Sequence, residues 1–162
     1  MIREFKGKKP QVSREAIIDD TALIMGNVFI GANASVWPYA LIRADEEEII
    51  LEERVAVLDK AFIEAPQKVV IGKGSIISHG AIVHGSKIGK NVLVGIGAII
   101  LEVNVGSNSI IGAGAVVNRD VEATSLYAGI PAKKIRKIDE KDIKQIKKIS
   151  EEILKKARYL KI

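Results

Sequence analysis

His79 and His84 are the only imidazoles in this 162-residue chain, which also contains no cysteine. The lack of cysteine removes thiol nucleophiles, disulfide frameworks, iron–sulfur clusters and cysteine-based zinc sites together. Any metal must therefore take nitrogen and oxygen ligands. The side chains that could join the two histidines in such chemistry are the acids and arginines that the fold brings beside them. On an α-helix, residues five apart project about 140° from each other and could not share an ion. Whether these side chains form one site depends on the elements that carry them.

Those elements follow a period of six. Aliphatic residues recur as Ile18, Ile24, Ile30, Val36 and Ile42, then as Leu51, Val57 and Ile63. The pattern restarts in triplets, Ile71-Ile77-Val83, Ile88-Val94-Ile100 and Val105-Ile111-Val117, whose first members lie 17 residues apart. Six residues advance a helix by about 600°, so the aliphatics would spiral around it rather than share a face. Three short strands per turn account for the spacing, and glycine after the aliphatic, as in Ile71-Gly72 and Ile88-Gly89, fits a tight corner between flat sheets. The predicted architecture is an all-β solenoid, a three-sided prism of about six coils filled by aliphatics, spanning residues 1–132.

Two interruptions, Ala44–Glu48 and Ala65–Lys68, read as loops leaving the corners. From Ile138 the period becomes helical. Asp139 is a helix cap, and Ile143, Ile146, Ile149, Ser150, Ile153, Leu154 and Ala157 form a stripe expected to pack along the prism. This helix belongs to a basic segment, 133–162, with 12 cationic and 5 anionic side chains. Without aromatic interleaving, the segment reads as a solvated face, and nucleic acid is not an expected partner.

Residues one coil apart in a solenoid stack above each other. Treating Ile63 and Val83 as equivalent interior positions gives one column of Arg43, Glu64 and His84. Val57 and Ile77 give a second column of Pro38, Asp59 and His79. The Gly-x-Gly segments at 72–74, 95–97 and 112–114 recur at the repeat period and lack a third glycine and a following helix, so they are corners rather than dinucleotide loops.

Composition narrows the rest. Isoleucine and valine supply 42 residues while aromatics make up 4%, so the core is β-branched and aliphatic. No apolar run approaches the ~18 residues of a membrane span, and residues 1–10 are polar rather than signal-like, so the expected location is the cytoplasm.

Trp37-Pro38, Ile42-Arg43-Ala44-Asp45, Asp59 and the run from Ile77-Ser-His79 to Val83-His84-Gly85 resemble the γ-class carbonic anhydrase-like proteins. The closing segment from Ala128 to Arg136 strengthens the resemblance. It implies a left-handed parallel β-helix with a C-terminal α-helix, assembled as a homotrimer. It also implies a zinc ion at the subunit interface, held by His84 and position 64 of one chain and His79 of the next. Position 64, usually histidine in that family, is Glu here. The glutamine usual before Asp59 is Leu58, and the asparagine or tyrosine that the family's helix often contributes falls near Ile149 and Ile153. Arg43 and Asp45 match the pair that the family uses across the interface, and Asp59 matches a carboxylate that orients a ligand histidine.

The activity implied is reversible hydration of CO2 to bicarbonate by hydroxide on the metal, with Glu46 as candidate proton shuttle. Two imidazoles and one carboxylate suit Zn²⁺, and equally Fe²⁺ or another divalent metal. An anionic ligand donates more charge than imidazole and should raise the pKa of the bound water, so a weak hydratase is expected. Two rivals share the fold: an acyl-CoA-dependent hexapeptide acyltransferase with His79 or His84 as general base, and a metal-binding or scaffolding protein without turnover.

Overall fold

The computed structural model describes residues 1–160. Strands stack in parallel into the three faces of a prism. On one face, Phe62–Glu64, Ile82–His84 and Ile99–Leu101 pair rung on rung, with Ile63, Val83 and Ile100 in register. A second face carries Val69–Ile71, Lys87–Ile88 and Asn104–Val105. The third holds seven parallel strands, Ile17–Ile18, Ser35–Val36, Ala56–Val57, Ile76–Ile77, Leu93–Val94, Ile110–Ile111 and Ser125–Ala128. The prism therefore has seven coils rather than the expected six, because its last coil, around Ser125–Ala128, lies beyond the regular aliphatic spacing.

The six-residue aliphatics fill the interior. Ile24, Ile42, Ile63, Val83, Ile100 and Val117 form one buried column of this core. Each fully buried isoleucine contributes about 1.5–3 kcal/mol, so the interior supplies stability and leaves chemistry to the outer surface. Corners are tight because coils touch through backbone. A Cβ on Gly72 would lie 2.5 Å from the carbonyl carbon of Gly89 in the next coil, so no other residue fits there.

The first interruption is not a loop leaving a corner, as the sequence suggested. Leu41–Leu51 runs as one eleven-residue strand against Leu23–Ile30, with a shift in register between Gly26 and Val28. Gly26 and Ala44 pair, as do Val28 and Ile49, so Asp45–Glu48 are accommodated as a bulge in a continuous strand. The bulge depends on Gly26, whose φ is +86° and whose added Cβ would meet the Ala44 carbonyl oxygen at 2.1 Å. The second interruption, 65–68, is a loop as expected. Two N-terminal strands without periodic signal, Ile2–Arg3 and Gln11–Val12, pair with Leu23–Ile30.

The basic segment begins with a strand the sequence did not announce: Lys133–Lys137 pairs antiparallel with Ser125–Ala128. Helix α1 (Glu140–Ala157) follows, capped by Asp139 in a reciprocal box with Asp142. Arg136 donates to both oxygens of Asp142 at 2.7 and 3.1 Å. That bond, aided by the Asp139 backbone, holds the Asp142 carboxyl down at about 2. Ile146, Ser150 and Ala157 are buried, while Ile149 and Ile153 pack on Trp37, Ala56, Leu58, Ile76 and Leu93 of the third face. The expected stripe thus lies along the prism. No helix among the described residues is long and apolar enough to cross a membrane.

Candidate functional site

At the end of the first face, Arg43, Glu64 and His84 occupy paired positions on successive rungs. Alternation along each strand turns these side chains outward while Ile42, Ile63 and Val83 point inward. The column is a connected polar chain. His84 Nδ1 lies 2.9 Å from Glu64 Oε2. The Arg43 guanidinium donates to the other Glu64 oxygen and lies over the Phe62 ring, 5.4 Å from its centroid. Arg43 Nε is 3.0 Å from Asp45 Oδ2. That approach is out of line for a hydrogen bond, and Nε is the one buried side-chain polar atom among the described residues without a partner.

The second column lies one corner earlier. His79 follows the strand Ile76–Ile77, and its Nδ1 is 2.9 Å from Asp59 Oδ2 on the rung below. The backbone repeats the stacking, with Gly80 N–H donating to Asp59 O at 2.9 Å. This pair is open to solvent: the side chains of His79 and Asp59 are 52% and 37% exposed, against 33% and 21% for His84 and Glu64. Glu46 stands apart on the bulge, exposed, with Lys6 Nζ at 3.5 Å.

The structure therefore brings Arg43, Asp45, Glu64 and His84 together and joins Asp59 to His79, but it keeps the two groups on different corners. Among the described residues, no three histidine, aspartate or glutamate side chains converge as a metal site. Sequence reasoning passed over Glu102, whose Oε1 is 3.9 Å from His84 Nε2. Its signal was available, since Leu101 pairs with His84 and Glu102 is the next residue.

The donor chemistry of the two imidazoles and their carboxylates fits a divalent metal. Each ring has its Nδ1 against a carboxylate, which selects the Nδ1–H tautomer and leaves Nε2 with its lone pair as the donor. Nitrogen donors with carboxylate support suit zinc or ferrous iron. Glu64 has both oxygens engaged, one by Arg43 and one by His84, so to ligate a metal it must release one of them.

Residues 86–119 match the model of the hexapeptide repeat of succinyl-transferase. Across nearly its full length the chain is similar to a carbonic anhydrase of Geobacillus kaustophilus, at 34% identity over 99% of this chain and 91% of the relative. The chain belongs to the γ-carbonic anhydrase-like hexapeptide-repeat family. The chain is also similar to an uncharacterized transferase of Bacillus subtilis, YtoA, at 42% identity over 99% of this chain and 97% of the relative. The crystal structure of a hexapeptide transferase family protein from Anaplasma phagocytophilum superposes with a TM-score of 0.93 at 32% identity, covering 97% and 96% of the two chains. The fold is the left-handed parallel β-helix with one C-terminal helix. Relatives under both enzyme names surround this chain.

Proposed function

We propose that this protein is a metal-dependent, carbonic anhydrase-like hydratase of CO2 and bicarbonate that works as a homotrimer. The observation that carries the reading is the pairing of each imidazole with a carboxylate, Asp59 with His79 and Glu64 with His84, both at 2.9 Å. The metal, zinc or another divalent ion, would be held by His84 and Glu64 of one chain and by His79 of a second copy. When bound it supplies Lewis acidity and an acidified water.

The chain's own residues set the rest. Asp59 fixes the orientation and tautomer of the His79 ring, whereas Glu64 would give up its bond to His84 Nδ1 in order to ligate the ion that His84 holds. Arg43 places positive charge beside His84, where a bicarbonate anion would sit, and Asp45 fixes the guanidinium from the opposite side. Glu46, exposed on the bulge, passes the proton to solvent. Outward-facing Leu41, Phe62, Ile82 and Ile99 form a half-buried apolar column on the same face, and Leu101 beside them is 38% exposed. That surface supports a neighbouring copy packed against this face. The Glu64 carboxylate, in place of a third imidazole, supports slow turnover.

A second reading has a specific observation in its favour: an exposed Asp59–His79 pair is also the arrangement of a general base with its orienting acid. In that case the substrate is an acyl-CoA and an acceptor. The experiment is anaerobic purification, metal analysis per chain, and parallel assays of CO2 hydration and acetyl-CoA consumption for the native protein and Glu64→His. Bound metal with weak hydration that rises in Glu64→His supports the hydratase. Metal-independent consumption of acetyl-CoA overturns it in favour of the transferase.

A further inference from the structure

Helix α1 and one corner of the prism enclose a cleft of about 330 Å³ at the far end of the third-face strands from His79. The corner is built by stacking: Gly74 N–H donates to Glu53 O, Asn91 N–H to Lys73 O, and Asn108 N–H to Lys90 O. Lys73 and Lys90 are therefore held one rung apart, about 4.8 Å between backbones. Arg54 lies on the rung below, at a left-handed position with φ of 61°. Lys147 faces them from α1. Four cations thus converge on one cleft.

The acids beside them gather on Lys73, whose backbone N–H donates to Glu52 Oε2 at 2.9 Å. Lys73 pairs with Glu53 at 2.9 Å. Arg54, Lys90 and Lys147 have no ion pair among the described residues, and Glu151 is the one acid lining the cleft. A second observation is independent of charge. Ser150 is 7% exposed and lines the same cleft, yet its hydroxyl makes no hydrogen bond among the described residues. Its oxygen is not one of the fully buried unpartnered atoms, so it meets the space of the cleft and offers a donor to something that enters. The left-handed corner residues and the docked helix fix the walls before any ligand arrives.

We infer that this cleft binds a small phosphate-bearing anion of diphosphate size, at a site separate from the histidines. Several cations on two rungs and a helix, with a hydroxyl donor, suit an anion that accepts hydrogen bonds from several directions. A single planar carboxylate would use one side of the cleft only. No aromatic side chain lines it, which disfavours stacked bases. The inference does not rest on the carbonic anhydrase-like reading.

The test is titration of the full chain with inorganic pyrophosphate at 0.15 M salt, by calorimetry and by backbone amide shifts. One site per chain is expected, tighter than for inorganic phosphate, with shifts concentrated at Gly74, Asn91 and Ser150. Arg54→Gln and Lys90→Gln should each weaken binding about tenfold, and Ser150→Ala several-fold. Lys148→Gln, on the same helix but outside the cleft, should leave it unchanged. Thermal transitions without ligand identify any variant that fails to fold, and the remaining variants then decide. Absence of saturable binding overturns the inference. So does equal affinity for phosphate, equal weakening by Lys148→Gln, or shifts centred on His79 and His84.

Discussion

The two imidazoles sit in the same local chemistry and in different company. Asp59 and His79 form a solvent-open pair with no further side-chain ion pair among the described residues. Glu64 and His84 belong to a longer chain that continues through Arg43 to Asp45, with Phe62 beneath the guanidinium. A carboxylate that serves one partner can orient a ring, whereas one that serves two also holds a cation in place. Identical distances of 2.9 Å therefore describe different duties.

The largest way to test this contrast is metal affinity. Asp59→Ala should lower it by about 10- to 100-fold, because His79 loses the group that fixes its tautomer; competitive titration with a metal indicator checks it, and unchanged affinity removes Asp59 from the site. Stability should separate the columns in the opposite sense. Glu64→Ala leaves Arg43 without its main acceptor beside an already unpartnered Nε, and should cost about 2 kcal/mol in urea unfolding. Asp59→Ala, at a more exposed pair, should cost less than about 1 kcal/mol. Equal losses would erase the distinction.

Arg43→Lys refines the picture further. It keeps the charge but loses the planar fork that reaches Glu64 and approaches Asp45, with an expected loss of about 1 kcal/mol. The smallest effect belongs to an ion pair outside both columns, Arg136 with Asp142. The Asp142 carboxyl sits at about 2 when folded against an ordinary 3.8. Its folded pKa is depressed, so its contribution is complete above about 3.8 and disappears as pH falls through about 2. Helix content followed by circular dichroism in acid should show this step, and Asp142→Ala should flatten it.

Much of this was legible in the sequence because the solenoid converts a linear period into vertical neighbours. The spacing of Ile63 and Val83 placed Glu64 beside His84, and that of Val57 and Ile77 placed Asp59 beside His79, as the paired rungs show. The helix stripe was equally readable, since Ile146, Ile149 and Ile153 follow helical spacing. What failed to show depends on geometry that a period does not encode. Asp45–Glu48 looked like a loop because four charged residues break the aliphatic pattern, yet a bulge opposite Gly26 absorbs them within a strand. The engagement of Glu64 by Arg43 required side-chain directions, not register alone. The cleft at Lys73 and Lys90 arises only when Lys147 is swung against them by the docking of α1.

Leu58, Ile149 and Ile153, which differ from the family pattern, meet in one apolar cluster. Polar groups at those places would have to find partners in a dry contact, so the three departures are mutually consistent. They favour docking of the helix over a contribution from it to the histidines.

The antiparallel strand Lys133–Lys137 has a consequence for the molecule as a whole. A stack of identical rungs has no inherent length, and its bare final rung is a template for another molecule's first. Running the chain backwards across Ser125–Ala128 occupies those hydrogen-bonding groups, and the outermost row then presents Lys133, Lys134, Arg136 and Lys137. A row of cations makes that outer edge a poor partner for another strand. The strand closes one of the three faces at this end of the stack, so opening it should favour end-to-end association, read by light scattering.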